Sequence, residues 1–126
     1  MKFLTASSVI DLHKILIDKF GGLHGIRDHG LLESALAYPQ LLYDLRAEHD
    51  IHVLAATYCF HLINNHSFVD GNKRIGVLAM ITFLKINGYQ FTLSHARLYV
   101  IAVLIATSKI DEKVVAQELK KFSRPL

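Results

Sequence analysis

One cysteine, no tryptophan and only two prolines occur in 126 residues. Cys59, standing alone, excludes an internal disulfide framework and suits a reducing compartment. No cysteine pair and no His-Glu-x-x-His pattern is present. His49, His52 and His61 therefore do not read as a zinc site, although they fall on one stretch. No apolar run reaches the ~20 residues needed to span a bilayer. The longest runs only from Leu98 to Thr107. Near the start, Thr5, Ser7, Ser8 and Asp11 break any signal-peptide core after Lys2-Phe3-Leu4. The expectation is a soluble, cytoplasmic protein with no membrane partner. Glycine is scarce too, while 52% of residues are apolar and 20% charged. That composition excludes disorder and fibre repeats. The net charge of +3 is mildly basic. Lys109, Lys113, Lys120, Lys121 and Arg124 read as a solvated face, and direct nucleic-acid binding is not expected. At ~100–200 residues per domain, residues 1–126 make a single domain.

What is there is helical periodicity. Val9, Leu12, Leu16 and Phe20 recur at three- and four-residue spacing, with Thr5 as N-cap and Gly21-Gly22 as stop. Asp28 caps a short helix through Ala37, which Pro39 should end because the residue before proline avoids helical geometry. Residues 40–48 are ambiguous between a short strand and an irregular flap. Two helices, from about Asp50 to Ile63 and from about Asn72 to Ile86, are apolar almost all round, so both should be central. Asn87-Gly88 closes the second, and Phe91-Thr92-Leu93 is a brief extended link. Ser94 caps a helix to about Thr107, and Asp111 caps a last one to about Phe122. The fold class is all-α, a compact bundle of about five to seven helices.

Chemistry concentrates between the central helices, in Asn64-Asn65-His66-Ser67-Phe68-Val69-Asp70-Gly71-Asn72-Lys73-Arg74. Gly71 allows a tight turn in which backbone N–H groups converge. They converge where a helix begins, and a helix N-terminus attracts anions. Lys73 and Arg74 oppose the helix dipole there unless an anion joins them. A phosphate is the natural guest. A histidine, whose unperturbed pKa is ~6.5, can take a proton from a hydroxyl near neutral pH, and His66 is the histidine here. Asp70 beside phosphates can hold Mg²⁺. These are the parts for moving a phosphate-containing group onto a hydroxyl. Each residue also has a plain structural role open to it: His66 as the end of one helix, Asp70 as the cap of the next, Lys73 and Arg74 as solvated charges. Cys59, in an apolar helix, reads as a buried inert thiol.

His66-Ser67-Phe68-Val69-Asp70-Gly71-Asn72-Lys73-Arg74 resembles the signature of the Fic/Doc (Fido) superfamily, whose general form is H-P-F-x-[D/E]-G-N-G-R-x-x-R. Ser67 replaces the proline, Lys73 the second glycine, and Val77 the last arginine. Those departures match the Doc, or "death on curing", branch. The stretch from Gly21 to Leu36 is also similar to that branch. The resemblance implies a Fic/Doc-type helical bundle that acts as a Mg²⁺- and ATP-dependent protein kinase. It implies transfer of the γ-phosphate to a serine or threonine of a target, with elongation factor Tu as the expected one, so that translation stops. His66 would be the general base, Asp70 the metal ligand, and Gly71, Asn72, Lys73 and Arg74 the nucleotide ligands. Phe68 would be the buried anchor of the loop. A small antitoxin partner would bind as a helix in a groove. Two alternatives remain open: a Fic-like AMP transferase, which Lys73 and Val77 argue against, and a catalytically silent partner-binding module, which His66 and Asp70 argue against. Some Fic proteins carry an inhibitory [S/T]-x-x-x-E-[G/N] helix. The nearest match, Ser108-Lys109-Ile110-Asp111-Glu112, is followed by Lys113 and straddles an expected helix boundary.

Overall fold

A computed structural model describes residues 1–126. Six helices follow one another: α1 (Ala6–Phe20), α2 (His29–Arg46), α3 (Ile51–Asn65), α4 (Asn72–Ile86), α5 (His95–Ala106) and α6 (Glu112–Phe122). Two short strands, β1 (Tyr89–Phe91) and β2 (Ser123–Pro125), complete the chain. The architecture is the helical bundle expected, with one small antiparallel sheet added. No helix is long and apolar enough to cross a membrane.

Side-chain caps begin most helices. Thr5 accepts from the Ser8 N–H while Ser8 Oγ accepts from the Thr5 N–H, a reciprocal box that satisfies two orphan donors of α1. Asp28, Asp50, Ser94 and Asp111 cap α2, α3, α5 and α6 in turn. The buried face of α1 is Val9, His13, Leu16 and Ile17. The apolar spacing placed Phe20 on that stripe, but its ring is 62% exposed.

Pro39 does not end α2. The helix runs on to Arg46, so residues 40–46 are neither strand nor flap. Proline removes its own N–H, crowds the carbonyl four residues back, and disfavours, without forbidding, a helical residue before it. Pro39 is buried in the helix, and Leu42 and Tyr43 pack against the core one turn on. Tertiary burial outweighs the local penalty.

The core is a single cluster of 26 buried residues, to which every helix contributes. α3 lies at its centre and packs on α2, α4, α5 and α6. Gly76 lets α4 approach closely: a Cβ there would fall 2.7 Å from Ile63 Cγ1 and 3.1 Å from the Cys59 carbonyl oxygen. Cys59 is fully buried, and desolvation pushes its thiol up to about 12, so it holds its proton and is inert. The extended link starts earlier than the sequence indicates, at Tyr89, because the chain end supplies a partner strand. Tyr89 faces Pro125 and Phe91 faces Ser123. Pro125 is tolerated because this is a two-stranded edge.

Candidate active site

The turn between α3 and α4 is short, and three kinds of contact hold it. Its own first helical residue ties it internally. Asn72 is only 6% exposed; its Oδ1 accepts from the Phe68 N–H at 3.0 Å and its Nδ2 donates to the Phe68 carbonyl at 2.9 Å. Those two bonds fix which end of the carboxamide is which. The same Nδ2 donates to His66 Nδ1 at 3.2 Å. The neutral imidazole therefore carries its lone pair on Nδ1 and its hydrogen on Nε2.

Packing from below supplies the second hold. Phe68 is 1% exposed and stacks on His13 of α1, with ring centroids 3.9 Å apart. His13 Nε2 meets the Asp70 carbonyl oxygen at 2.8 Å. A histidine on the apolar face of α1 thus carries both the ring and the backbone of the turn.

The third hold is the segment between α1 and α2. Ile26 and Phe68 form an antiparallel bridge, the Arg27 N–H donates to the Ser67 carbonyl at 2.7 Å, and the Val69 N–H donates to the Gly25 carbonyl at 3.0 Å. The Leu23 N–H donates to Asp70 Oδ2 at 3.0 Å. Gly22 sits at φ +116, and a Cβ there would lie 2.7 Å from that same Oδ2. Only glycine lets the backbone come so close to the carboxylate.

Asp70 is exposed, and its Oδ1 accepts from the Gly71 N–H at 2.9 Å. The Leu23 and Gly71 N–H bonds, helped by the nearby Arg74 and His13, hold its carboxyl below the ordinary 3.8. It does not cap α4. Gly71 is the N-cap, left-handed at φ 77, and it provides no side-chain acceptor. The N–H groups of Asn72, Lys73 and Arg74 are left without protein partners at the positive end of the helix dipole, and no acidic residue lies in that turn. Lys73 and Arg74 are exposed beside them, and the Arg74 guanidinium lies 5.7 Å from the centroid of the Phe20 ring. A cavity of about 130 Å³ is lined by His66, Asp70, Gly71, Asn72 and Lys73. Another, of about 330 Å³, opens by Phe60, Asn64, Ile105 and Ile110.

The structure thus gathers His66, Asp70, Gly71 and Lys73 on one cavity, while the Arg74 guanidinium lies beside Phe20. The Asn72 carboxamide is hydrogen-bonded to Phe68 and His66, and its backbone N–H has no protein partner. His13, Leu23 and Arg27 were not singled out from the sequence. Their contacts are made across gaps of 38 to 57 positions, which no local pattern reveals. His49, His52 and His61 form no metal-binding cluster; His52 pairs with Asp50 at 3.4 Å and His61 stacks on Tyr38. Val77 packs against the core, so α4 offers no third cation one turn after Arg74.

A family model described as "Fic/DOC family" matches residues 3–84, the stretch that holds both the turn and the segment paired with it. The chain belongs to the Fic/DOC family. Two curated relatives extend the match. "Toxin Doc" of Mycolicibacterium smegmatis is 38% identical over 107 residues, covering 82% of each chain. "Protein kinase doc" of Escherichia phage P1 is 30% identical over 122 residues, covering 97% of this chain and 96% of its own length. Both carry the Doc name, which puts this Fic/DOC protein on the Doc branch.

Proposed function

We propose that this Doc-branch protein is a toxin that transfers the γ-phosphate of ATP to a serine or threonine hydroxyl of a target protein. The observation that carries the reading is the uncapped start of α4: three unpartnered N–H groups, flanked by Lys73 and Arg74, opening on the cavity that His66 and Asp70 share. Such a terminus favours a polyanion and opposes the two cations without one.

The chain's own groups divide the work. The backbone N–H groups of residues 72–74 and the side chains of Lys73 and Arg74 hold the phosphates, while the larger cavity beside α5 offers room for the rest of the nucleotide. His66 takes the hydroxyl proton on its imidazole, which lines the cavity. The hydroxyl oxygen forms its bond to the γ-phosphorus, the bond to the bridging oxygen breaks, and ADP departs. Asp70 fits a Mg²⁺ ion, because it is an exposed carboxylate held ionised by the Leu23 and Gly71 N–H groups, and Mg²⁺ is commonly held by one or two carboxylates, waters and phosphates. When bound, Mg²⁺ supplies charge neutralisation on the phosphates.

The resemblance makes elongation factor Tu the first target to test. A toxin of this kind also requires a brake. The candidate internal one, Ser108 to Glu112, lies across the turn between α5 and α6. The brake is therefore assigned to a small antitoxin in trans, docking as a helix on exposed apolar side chains such as Tyr99 and Val100. The test of the catalytic assignment is His66→Ala. Loss of a general base lowers rate by ~10²–10⁴-fold. The variant should bind ATP like the parent and transfer phosphate at that reduced rate; parental transfer would remove His66 from the mechanism.

A further inference from the structure

The segment from Leu23 to Asp28 is not spent by the proposed reaction, yet it pairs with the catalytic turn almost residue by residue. Gly25 takes Val69, Ile26 bridges Phe68, and the Arg27 and Asp28 N–H groups both donate to the Ser67 carbonyl, at 2.7 and 3.0 Å. One side chain of the segment, Arg27, adds two contacts of its own. Arg27 Nε donates to the His66 carbonyl at 2.6 Å, and its Nη2 donates to the Asn65 carbonyl at 3.1 Å.

Those two carbonyls are at the C-terminal end of α3, where a helix leaves oxygens without partners and a negative partial charge. A guanidinium suits them because its donors are held in one rigid plane. The place matters because His66 is the C-cap of α3 and has φ 50, ψ 48, the left-handed region that a non-glycine residue seldom adopts. Something outside the residue has to hold it there. Asn72 sees only the imidazole, and His13 sees only Phe68 and Asp70. Arg27 is the side chain that grips the backbone of His66 itself.

We infer that Arg27 is a positioning residue for His66, clamping the left-handed end of α3 so that the imidazole faces Asn72 and the cavity. The inference rests on the proposed role of His66 and adds the residue that aims it. Arg27 is itself exposed, so its removal leaves the two carbonyls to water and the fold intact.

The experiment combines nuclear magnetic resonance and kinetics on the full chain. In the parent, ring protons of His66 should show cross-relaxation with the Asn72 side-chain amide. In Arg27→Ala that signal should be lost, and kcat for phosphate transfer should fall by about 10²-fold, the usual effect of a catalytic group displaced by about 1 Å. KM for ATP should stay at the parental value, because Arg27 touches none of the proposed phosphate ligands. Guanidinium ion at millimolar concentration should restore part of kcat in Arg27→Ala and none in His66→Ala. Should Arg27→Ala fail to fold, Arg27→Lys provides the same test: one ammonium cannot reproduce the planar fork, and kcat should fall with KM unchanged. A retained His66–Asn72 signal, a parental kcat, or a loss confined to KM each overturns the inference. The resonance signal keeps it separate from the reaction proposed above. A fully active His66→Ala would sink the general-base role while the clamp is still read from the spectrum.

Discussion

Replacing Asn72 by alanine separates two uses of one side chain. If the carboxamide is a phosphate ligand, its loss raises KM for ATP and leaves the fold unchanged. The structure instead makes it the internal tie of the turn. Alanine would strand the N–H and the carbonyl of Phe68, a residue 1% exposed, and would remove the donor to His66 Nδ1. Each stranded buried group costs about 1–1.5 kcal/mol, so Asn72→Ala should lose about 2–3 kcal/mol. For a chain of this length that corresponds to a fall in Tm of about 6–15 °C. Transfer should slow as well, since the imidazole loses one of its two supports. Thermal unfolding followed by circular dichroism, beside a titration with ATP, decides the matter. An unchanged Tm with weakened ATP binding would refute this account of the turn and restore Asn72 as a nucleotide ligand.

Asp70→Asn should destabilise the protein at neutral pH, because an amide NH₂ would face one of the two N–H groups that now meet carboxylate oxygens. The lowered Asp70 pKa means that its contribution is complete above about pH 4 and disappears as pH falls through the folded value, below 3.8. Unfolding free energies measured across that acid range should show the parent losing the advantage that Asp70→Asn never had; parallel curves would contradict this. Ser67 Oγ is buried with no hydrogen-bond partner. Ser67→Ala should therefore raise the unfolding free energy by up to about 1 kcal/mol in a denaturant titration, and a loss of stability would show that the hydroxyl is paired in solution.

How much of this could be read in advance follows the range of each interaction. Helix starts are local, and Thr5, Asp28, Ser94 and Asp111 announced theirs. The centrality of α3 and α4 followed from apolar residues on every side. Pro39 misled because its local penalty is weak beside the burial gained by extending α2 to Arg46. The strand pair escaped because three-residue strands have no readable period, and Tyr89 and Pro125 meet only through tertiary closure. The turn was legible as a cluster of chemical types. What holds it was not: His13 and Arg27 meet the turn across 38 to 57 positions, and no local pattern marks either of them. The left-handed His66 has no glycine to betray it. The repeated glycines at 22 and 25 were the one available hint that a backbone approaches closely there.

The most direct measurement of the central claim is the fate of labelled ATP. The purified chain, Mg²⁺ and elongation factor Tu, or a bacterial lysate if that protein is inert, are incubated in parallel with ATP labelled at the α- or at the γ-phosphate, and the modified residue is identified by mass spectrometry. The account expects γ-label on a serine or threonine hydroxyl, no retained α-label, and γ-label appearing ~10²–10⁴-fold more slowly in His66→Ala. Retention of the α-label would show transfer of AMP instead, and no label on any protein would leave the uncapped start of α4 without the phosphate chemistry assigned to it.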